Sequence, residues 1–387
     1  MSVPAASKVM ARTVDIVKVN ENCYPFSLLV ETYNCARKGM ASKTGNLQIM
    51  RVFPKGQGFT FGLLGALALA WYWPEGGKPE GLLKPEVTTM AAVALIFLLQ
   101  GINLPLGQLR QGLGDWRLHL FIQFFSFVLF PLAILGLVVS EMISAPWAPG
   151  FLFLAILPTT ISTAIVYTSV SGGDSVAATF NATLSNLLGI IAVPLWCAFF
   201  VFPIEGITMV KESSDSFFSE FLAKLLGLIL TPLCVGLWFR RILGNQTSAR
   251  HKRSLRNLSY GCVLFIAYAG FCQGFLGSGN GSVAIDWEVL VWATILLVWV
   301  KCSTWGLSGL LGFERNRRLP AFFCSSQKSL AVGLPMGQLL FGLEHPRLFF
   351  LLFPLIVYHM LQLLIGAILL GHWQGSKPQT FLSKDSL

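Results

Sequence analysis

A chain of 387 residues with 54% apolar and 12% charged residues, and a mean hydropathy of +0.65, lies outside the composition of soluble domains. It has room for about ten apolar spans of roughly 20 residues joined by short loops. The formal charge of +10 does not point to nucleic acid, because the basic residues sit in short loops without aromatic interleaving, as cytoplasmic loops of membrane proteins do.

Residues 1–57 are mixed, polar and aperiodic, without the apolar core of a signal peptide. Met40 and Met50 precede KTGNLQ and RVFPKG, which suits translation starting downstream of Met1; a short amphipathic lead-in helix is the alternative. The apolar segments then fall at about 58–74, 87–106, 117–140, 149–171, 175–203, 219–240, 258–277, 286–311, 319–343 and 346–371. With the N-terminus cytoplasmic, the inside loops hold Arg110, Arg117, Arg241, Arg250, Lys252, Arg253, Arg256, Arg315, Arg317 and Arg318. The outside loops mix Lys78, Lys84, Lys211 and Arg347 with nine acidic residues, among them Glu205, Glu212 and Asp215. That asymmetry predicts an integral membrane protein with both termini in the cytoplasm.

The acidic loop 204–218 divides the segments into five at 58–203 and five at 219–371, followed by a tail at 372–387. An odd number of spans per half inverts the second half relative to the first. The fourth segment of each half is irregular: LPTTISTAIVYTSVSGGD from Leu157, with Pro158 and a hydroxyl run, and AFFCSSQKSLAVGLPMGQ from Ala321. Broken segments at matching places in inverted repeats point to the midplane site of a transporter. Gly333, Pro335 and Gly337 suggest where the second one is interrupted.

Ser325, Ser326, Gln327, Lys328 and Ser329 run together inside that apolar segment. Lipid cannot satisfy such groups, so they should face protein or a polar cavity, and an intramembrane lysine is a functional-site candidate. Snorkelling to a helix end is the plain alternative, made difficult by about ten residues of span on its near side. Lys301 in the eighth segment is divided evenly between the two readings. The second constellation is Thr159, Thr160, Ser162 and Thr163, four hydroxyls in five residues, more than helix packing needs. Thr179, Asn181, Thr183, Ser185 and Asn186 stripe the fifth segment; Gln123 stands in the third and Gln338 ends the ninth. Their oxygens suit a hard cation, and together they outline one polar cavity. His359 and Gln362 read as a proton relay or, more simply, a hydrogen-bonded helix contact. Gly172-Gly173-Asp174 reads as a tight turn. The eight cysteines show no CxxC spacing, and no nucleophile–base pair or metal-ligand cluster stands out. Neither catalytic residues, enzyme activity nor a structural metal or cofactor is therefore expected.

The stretches HLFIQFFSFVLFPL, LPTTISTAIVYTSVSGGDSVAATFNATLSNLLG and FFCSSQKSLAVGLPMG resemble the bile acid:sodium symporter superfamily, in its branch containing solute carrier family 10 member 7 and bacterial homologues. The resemblance covers roughly residues 58–371. It implies an all-α membrane fold of ten transmembrane helices in two inverted five-helix repeats, with broken, crossing helices 4 and 9 and a division into core and panel domains. It also implies cation sites built from helices three, four, five and nine. Carried over, these fall on Gln123, on Ser162 and Thr163, on the neighbourhood of Thr179 and Asn181, and on Gln327, with sodium at Ser162, Thr163, Asn181 and Gln327. The sodium-coupled members carry a helix-nine glutamate, where this chain has Phe323-Cys324-Ser325, and Lys328 takes the place of a small polar residue. An ammonium there replaces a bound cation electrostatically. The expected function is secondary active transport of a small organic anion by alternating access, with sodium coupling in doubt and sodium or protons as candidate coupling ions, in the bilayer of a bacterial inner membrane. The alternatives are a membrane regulator of ion homeostasis with the same fold, and a cation/proton antiporter with Lys328 as the titrating group. Oligomeric state and solute are left open.

Overall fold

The computed structural model describes residues 58–77, 84–104, 112, 114–204, 215–277, 286–342, 345 and 347–375. The polar extension 1–57, most of the acidic loop and most of the tail lie outside these. Among the described residues the chain is all-helical. The helices are α1 (Gly58–Tyr72), α2 (Pro85–Asn103), α3 (Trp116–Val139), α4 (Ala148–Ile156), α5 (Ile161–Val170), α6 (Ser175–Ile204), α7 (Asp215–Gly277), α8 (Trp287–Leu310), α9 (Arg315–Ser326), α10 (Leu330–Phe341) and α11 (Leu348–Gly375). Five stretches are long and apolar enough to cross a membrane: α3, α6, Arg253–Gln273 within α7, α8 and Leu348–Leu370 of α11. The pair α4–α5, bent by 64°, makes a sixth as one broken span.

The membrane setting is written on the outer faces. On α8, Val291, Ile295 and Val298 form an exposed apolar stripe, whereas Val289, Ala293, Leu297, Lys301, Thr304 and Ser308 are buried. A polar face turned inward and an apolar face turned outward is the reverse of a soluble helix and suits lipid.

Two differences from the sequence expectation concern breaks. The expected segments 219–240 and 258–277, with a basic loop between them, fall in the single helix α7 of 63 residues, about 95 Å if straight. No proline follows Pro232 within it, so nothing covalent forces the ladder open. The interruption of the ninth segment is at Gln327–Ser329, ahead of Gly333, Pro335 and Gly337, which lie inside α10. It is therefore made by tertiary hydrogen bonds and not by glycine or proline. In the fourth segment the expectation holds: α4 stops at Ile156 because Pro158 forbids helix for the residue before it, and Leu157 is extended (φ −70°, ψ 150°). Gly172 takes φ 84° in the turn, and the Asp174 carboxylate accepts from the N–H groups of Val176 and Ala177 to start α6, as the tight-turn reading anticipated.

Every residue of α4 is buried. It lies on α11 so closely that a Cβ on Gly150 would sit 2.3 Å from the Phe350 carbonyl oxygen. Trp147 packs on Phe349, Phe350 and Phe353. The inner half of the other broken pair, α10, lies on α11 through Gly333 against Leu355 and Gly337 against Leu352. Thus α11 is the wall on which both broken segments are assembled. At one end, Arg317 pairs with Asp115 at 3.0 Å and the Asp174 N–H donates to the Asn316 carbonyl, tying the starts of α9, α3 and α6. At the other, Trp147 Nε1 donates to Asp286 (2.8 Å) and the Ser144 N–H to Glu288 (2.7 Å).

Outside this assembly, α2 and α7 cross at glycine. A Cβ on Gly236 would fall 2.1 Å from the Leu98 carbonyl oxygen, and one on Gly101 2.2 Å from that of Leu233. Small residues allow such backbone approach in membrane helices. Gly236→Leu should therefore force the helices apart and lower the melting temperature of the purified protein, by an overpacking cost of about 1–3 kcal/mol. Gly227→Leu, at a position with no atoms near a new Cβ, is the control and should melt like the wild type. Equal melting of both variants would mean that this crossing does not hold the fold.

Candidate functional site

The two interruptions meet. The Ser329 N–H donates to the Pro158 carbonyl at 2.8 Å, so the extended residues of one break lie against those of the other. Every peptide group freed from a helical ladder there needs a partner, since an orphaned one in a dry interior costs about 1–3 kcal/mol.

Lys328 supplies most of the donors. It is fully buried, and its Nζ donates to Ala155 O (2.5 Å), Leu157 O (2.9 Å) and Ser126 O (3.1 Å), with the Phe130 ring centroid 4.8 Å away. The first two carbonyls belong to the C-terminal end of α4, the negative end of its dipole. The third is free for a covalent reason. Around Phe125–Leu129 α3 makes a π-helical turn, in which the Phe130 N–H bonds Phe125 O, and Pro131 has no N–H to continue the series onto Ser126. The neighbouring Phe127 carbonyl accepts from Trp196 Nε1 at 3.0 Å. An ammonium has three donors, and all three are used on carbonyls. Buried at this depth with its donors on carbonyls, this lysine does not snorkel.

The backbone of Lys328 is held as closely. Its N–H donates to Gln362 Oε1 and its carbonyl accepts from Gln362 Nε2, both at 2.8 Å, while Tyr358 Oη donates to Ser326 O at 2.8 Å. His359 Nδ1 lies 2.8 Å from Gln362 Nε2. On the α4–α5 side, Asn186 Nδ2 donates to Thr159 O (3.0 Å) and the Thr159 N–H to Ser185 Oγ (3.2 Å).

Beside the lysine cage lies a hydroxyl–amide cluster. Gln327 Oε1 accepts from Thr160 Oγ1 (2.6 Å) and Thr163 Oγ1 (2.8 Å), which are 2.5 Å from each other. A third cluster joins Gln123 Nε2 to the Asn181 side-chain oxygen (3.3 Å), and Asn181 Nδ2 to His119 Nδ1 (2.9 Å). His119 in turn meets Gly112 O (2.6 Å). The expected single cavity is thus three hydrogen-bonded groups on adjoining elements. Five buried atoms of these groups have no hydrogen-bond partner: Gln123 Oε1, Ser126 Oγ, Thr159 Oγ1, Ser325 Oγ and Gln327 Nε2. Unpaired buried polar atoms are uncommon, and four of these five lie at the breaks or on the α3 turn facing them.

Some sequence candidates stand apart. Ser162 is exposed, Thr179 Oγ1 bonds the Ser175 carbonyl of its own helix, and Gln338 donates to Ile266 O about 12 Å along α10 from the break. Ser326 Oγ is taken by Lys301 Nζ at 3.0 Å. His119, Ser126 and Tyr358 were not singled out from sequence. His119 shares a helix face with Gln123 at i, i+4, a legible signal; Ser126 contributes its carbonyl, which no side-chain pattern reveals. Next to α11, an apolar cleft of about 270 Å³ opens between α1 and α8, lined by Leu63, Leu67, Leu290, Val357 and Met360 among others.

Comparison with known proteins follows the same stretch of chain. Residues 57–375 match the family described as SBF-like CPA transporter family. "Sodium/bile acid cotransporter 7" of Danio rerio is 30% identical over 336 residues, covering 83% of this chain and 96% of that protein. Its Mus musculus namesake is 31% identical over 321 residues, covering 80% and 90%. YfeH of Escherichia coli (strain K12) is 30% identical over 351 residues, covering 87% and 98%.

Lys328→Met keeps the chain length but strips three carbonyls of their donor. Its thermal unfolding, followed by tryptophan fluorescence in detergent, should fall by several kcal/mol, at about 1–3 kcal/mol per buried unsatisfied group. Ser162→Ala, at an exposed position, should melt within about 0.5 kcal/mol of the wild type. Wild-type melting of Lys328→Met would remove the ammonium from the packing of the breaks.

Proposed function

Since the chain belongs to the SBF-like CPA transporter family, we propose that it is a secondary active transporter that moves a small organic anion by alternating access. What supports this is the pair of broken segments, α4–α5 and α9–α10, touching at their interruptions with buried, unpaired polar atoms around them. In this reading the described helices belong to two inverted five-helix repeats, 58–203 and 219–371. The membrane is the bacterial inner membrane and both termini are cytoplasmic.

The single observation that carries the mechanism is the three-carbonyl cage of Lys328. Backbone oxygens at a helix C-terminus and a free oxygen on a neighbouring helix are the ligands a hard cation would take. A tethered ammonium already fills them. Sodium is therefore not required at this place, and the charge that a coupling ion would bring and remove is fixed in the protein. The anion is recognised by donors with spare capacity, Gln327 Nε2, Thr159 Oγ1 and Ser325 Oγ, while the apolar cleft beside α11 accommodates an apolar body. Thr160 and Thr163 position the Gln327 amide so that its oxygen is occupied and its nitrogen is free.

Purified protein in liposomes should accumulate members of a panel of labelled carboxylates, sulfonates and phosphate esters saturably, and to the same extent with or without a sodium gradient. Thr160→Val with Thr163→Val frees the Gln327 amide to turn and should reduce uptake about tenfold or more, the equivalent of 1.4 kcal/mol. Steep sodium dependence would contradict the fixed-charge mechanism. Absence of flux across the whole panel would replace transport by a regulatory role.

A further inference from the structure

Lys301 is the second buried lysine and plays no part in holding the breaks. It lies 15 residues into the 24-residue α8, about 14 Å from the helix end, on the buried side of the helix, and is 5% exposed. Its side chain is too short to reach the end of the helix. Among the described residues its Nζ has one hydrogen-bond partner, Ser326 Oγ at 3.0 Å, and otherwise faces the rings of Phe322 (4.4 Å) and Phe323 (5.4 Å).

The two lysines differ in what surrounds them. Lys328 meets only carbonyl oxygens, which accept and cannot donate. A neutral amine there would point its lone pair at a carbonyl lone pair, so this geometry favours the ammonium. Lys301 meets a hydroxyl, which accepts from an ammonium and donates equally well to an amine. In the charged form Nζ donates to Ser326 Oγ, and that hydroxyl donates to Phe322 O at 2.7 Å. Transfer of one proton from Nζ to water leaves an amine; the Ser326 hydroxyl turns its hydrogen to the new lone pair, and Phe322 O keeps its helical partner. The elements packed against α8 bring no carboxylate into hydrogen-bond range of Nζ among the described residues. From α9 comes Arg318, whose guanidinium stacks 4.0 Å over Trp305 and donates to Trp305 O, together with the Cys324 thiol, which bonds Ala178 O. From α11 come Tyr358, bonded to Ser326 O, and His359, bonded within its own helix to Gln362. Ser326 is the last residue of α9, followed by Gln327 and then Lys328. A change of charge on Lys301 therefore reaches the break through one residue.

We propose that Lys301 is the proton-binding residue of the transport cycle, loading and releasing one proton against the Ser326 hydroxyl, while Lys328 keeps its charge throughout. This rests on the transporter reading above and names its coupling ion. The test needs no solute: lysine Nζ is labelled with nitrogen-15 in the full-length protein, reconstituted in liposomes and followed by solid-state NMR from pH 5 to 9. One signal should pass from ammonium to amine, be absent from Lys301→Gln and Lys301→Arg, and shift its midpoint in Ser326→Ala. The signal lost in Lys328→Gln should remain ammonium throughout. A titrating signal that survives both Lys301 variants overturns the proposal, and so does the absence of any titrating lysine below pH 9. Uptake by the anion panel is measured separately, so saturable transport without a titrating Lys301 removes the proton proposal and leaves the transport reading intact.

Discussion

Backbone groups freed by a broken helix have no water to turn to inside a bilayer, and the architecture of this protein follows from how they are paired. Lys328 Nζ closes the C-terminal end of α4 and the Ser126 carbonyl that Pro131 leaves open in α3. Gln362 closes both sides of the Lys328 peptide unit, Tyr358 closes Ser326 O, and Ser185 and Asn186 close Thr159. Donors thus come from α6, α10's preceding turn and α11, and each fixes the position of another element. With the Lys328 side chain removed, three carbonyls on α3 and α4 would lose a shared partner at once.

This pairing also explains the packing around it. The breaks can touch only if α4 and α10 approach α11 closely, and glycine at Gly150, Gly333 and Gly337 permits that. Thr179 and Asn186 donate to carbonyls of their own helix, and Asn186 also to Thr159 O, whereas Gln327 Nε2 and Ser325 Oγ at the meeting point have no partner.

Much of this was legible in the sequence because lipid makes polarity conspicuous. A lysine amid serines in an apolar run stands out, and so does a hydroxyl run after Pro158; both mark the breaks. Charge asymmetry and segment spacing pointed to a helical membrane protein, and the resemblance of three stretches, around Gln123, Pro158 and Lys328, pointed to its family. What escaped were features made by tertiary hydrogen bonds. The second break lies at Gln327–Ser329 because Gln362 and Pro158 O capture its peptide groups, a competition that no local propensity records. The division of the polar set into a Gln123–Asn181 group and a Thr163–Gln327 group required the fold, since those partners are 58 and 164 positions apart. Ser162 and Gln338 were drawn into the site by composition alone; helix geometry turns one outward and places the other well beyond the break. The helical backbone across 241–256 of α7 was hidden because a basic stretch reads equally as a loop.

The central claim is that a fixed ammonium holds the place of a coupling cation. Its most direct test is equilibrium binding of radiolabelled sodium to the purified protein and to Lys328→Ala. The account predicts no saturable sodium binding to the wild type, and saturable binding to the variant, whose carbonyls at Ser126, Ala155 and Leu157 are then free to coordinate the ion. Saturable sodium binding to the wild type, reduced by Thr163→Val or Gln327→Leu, would contradict it.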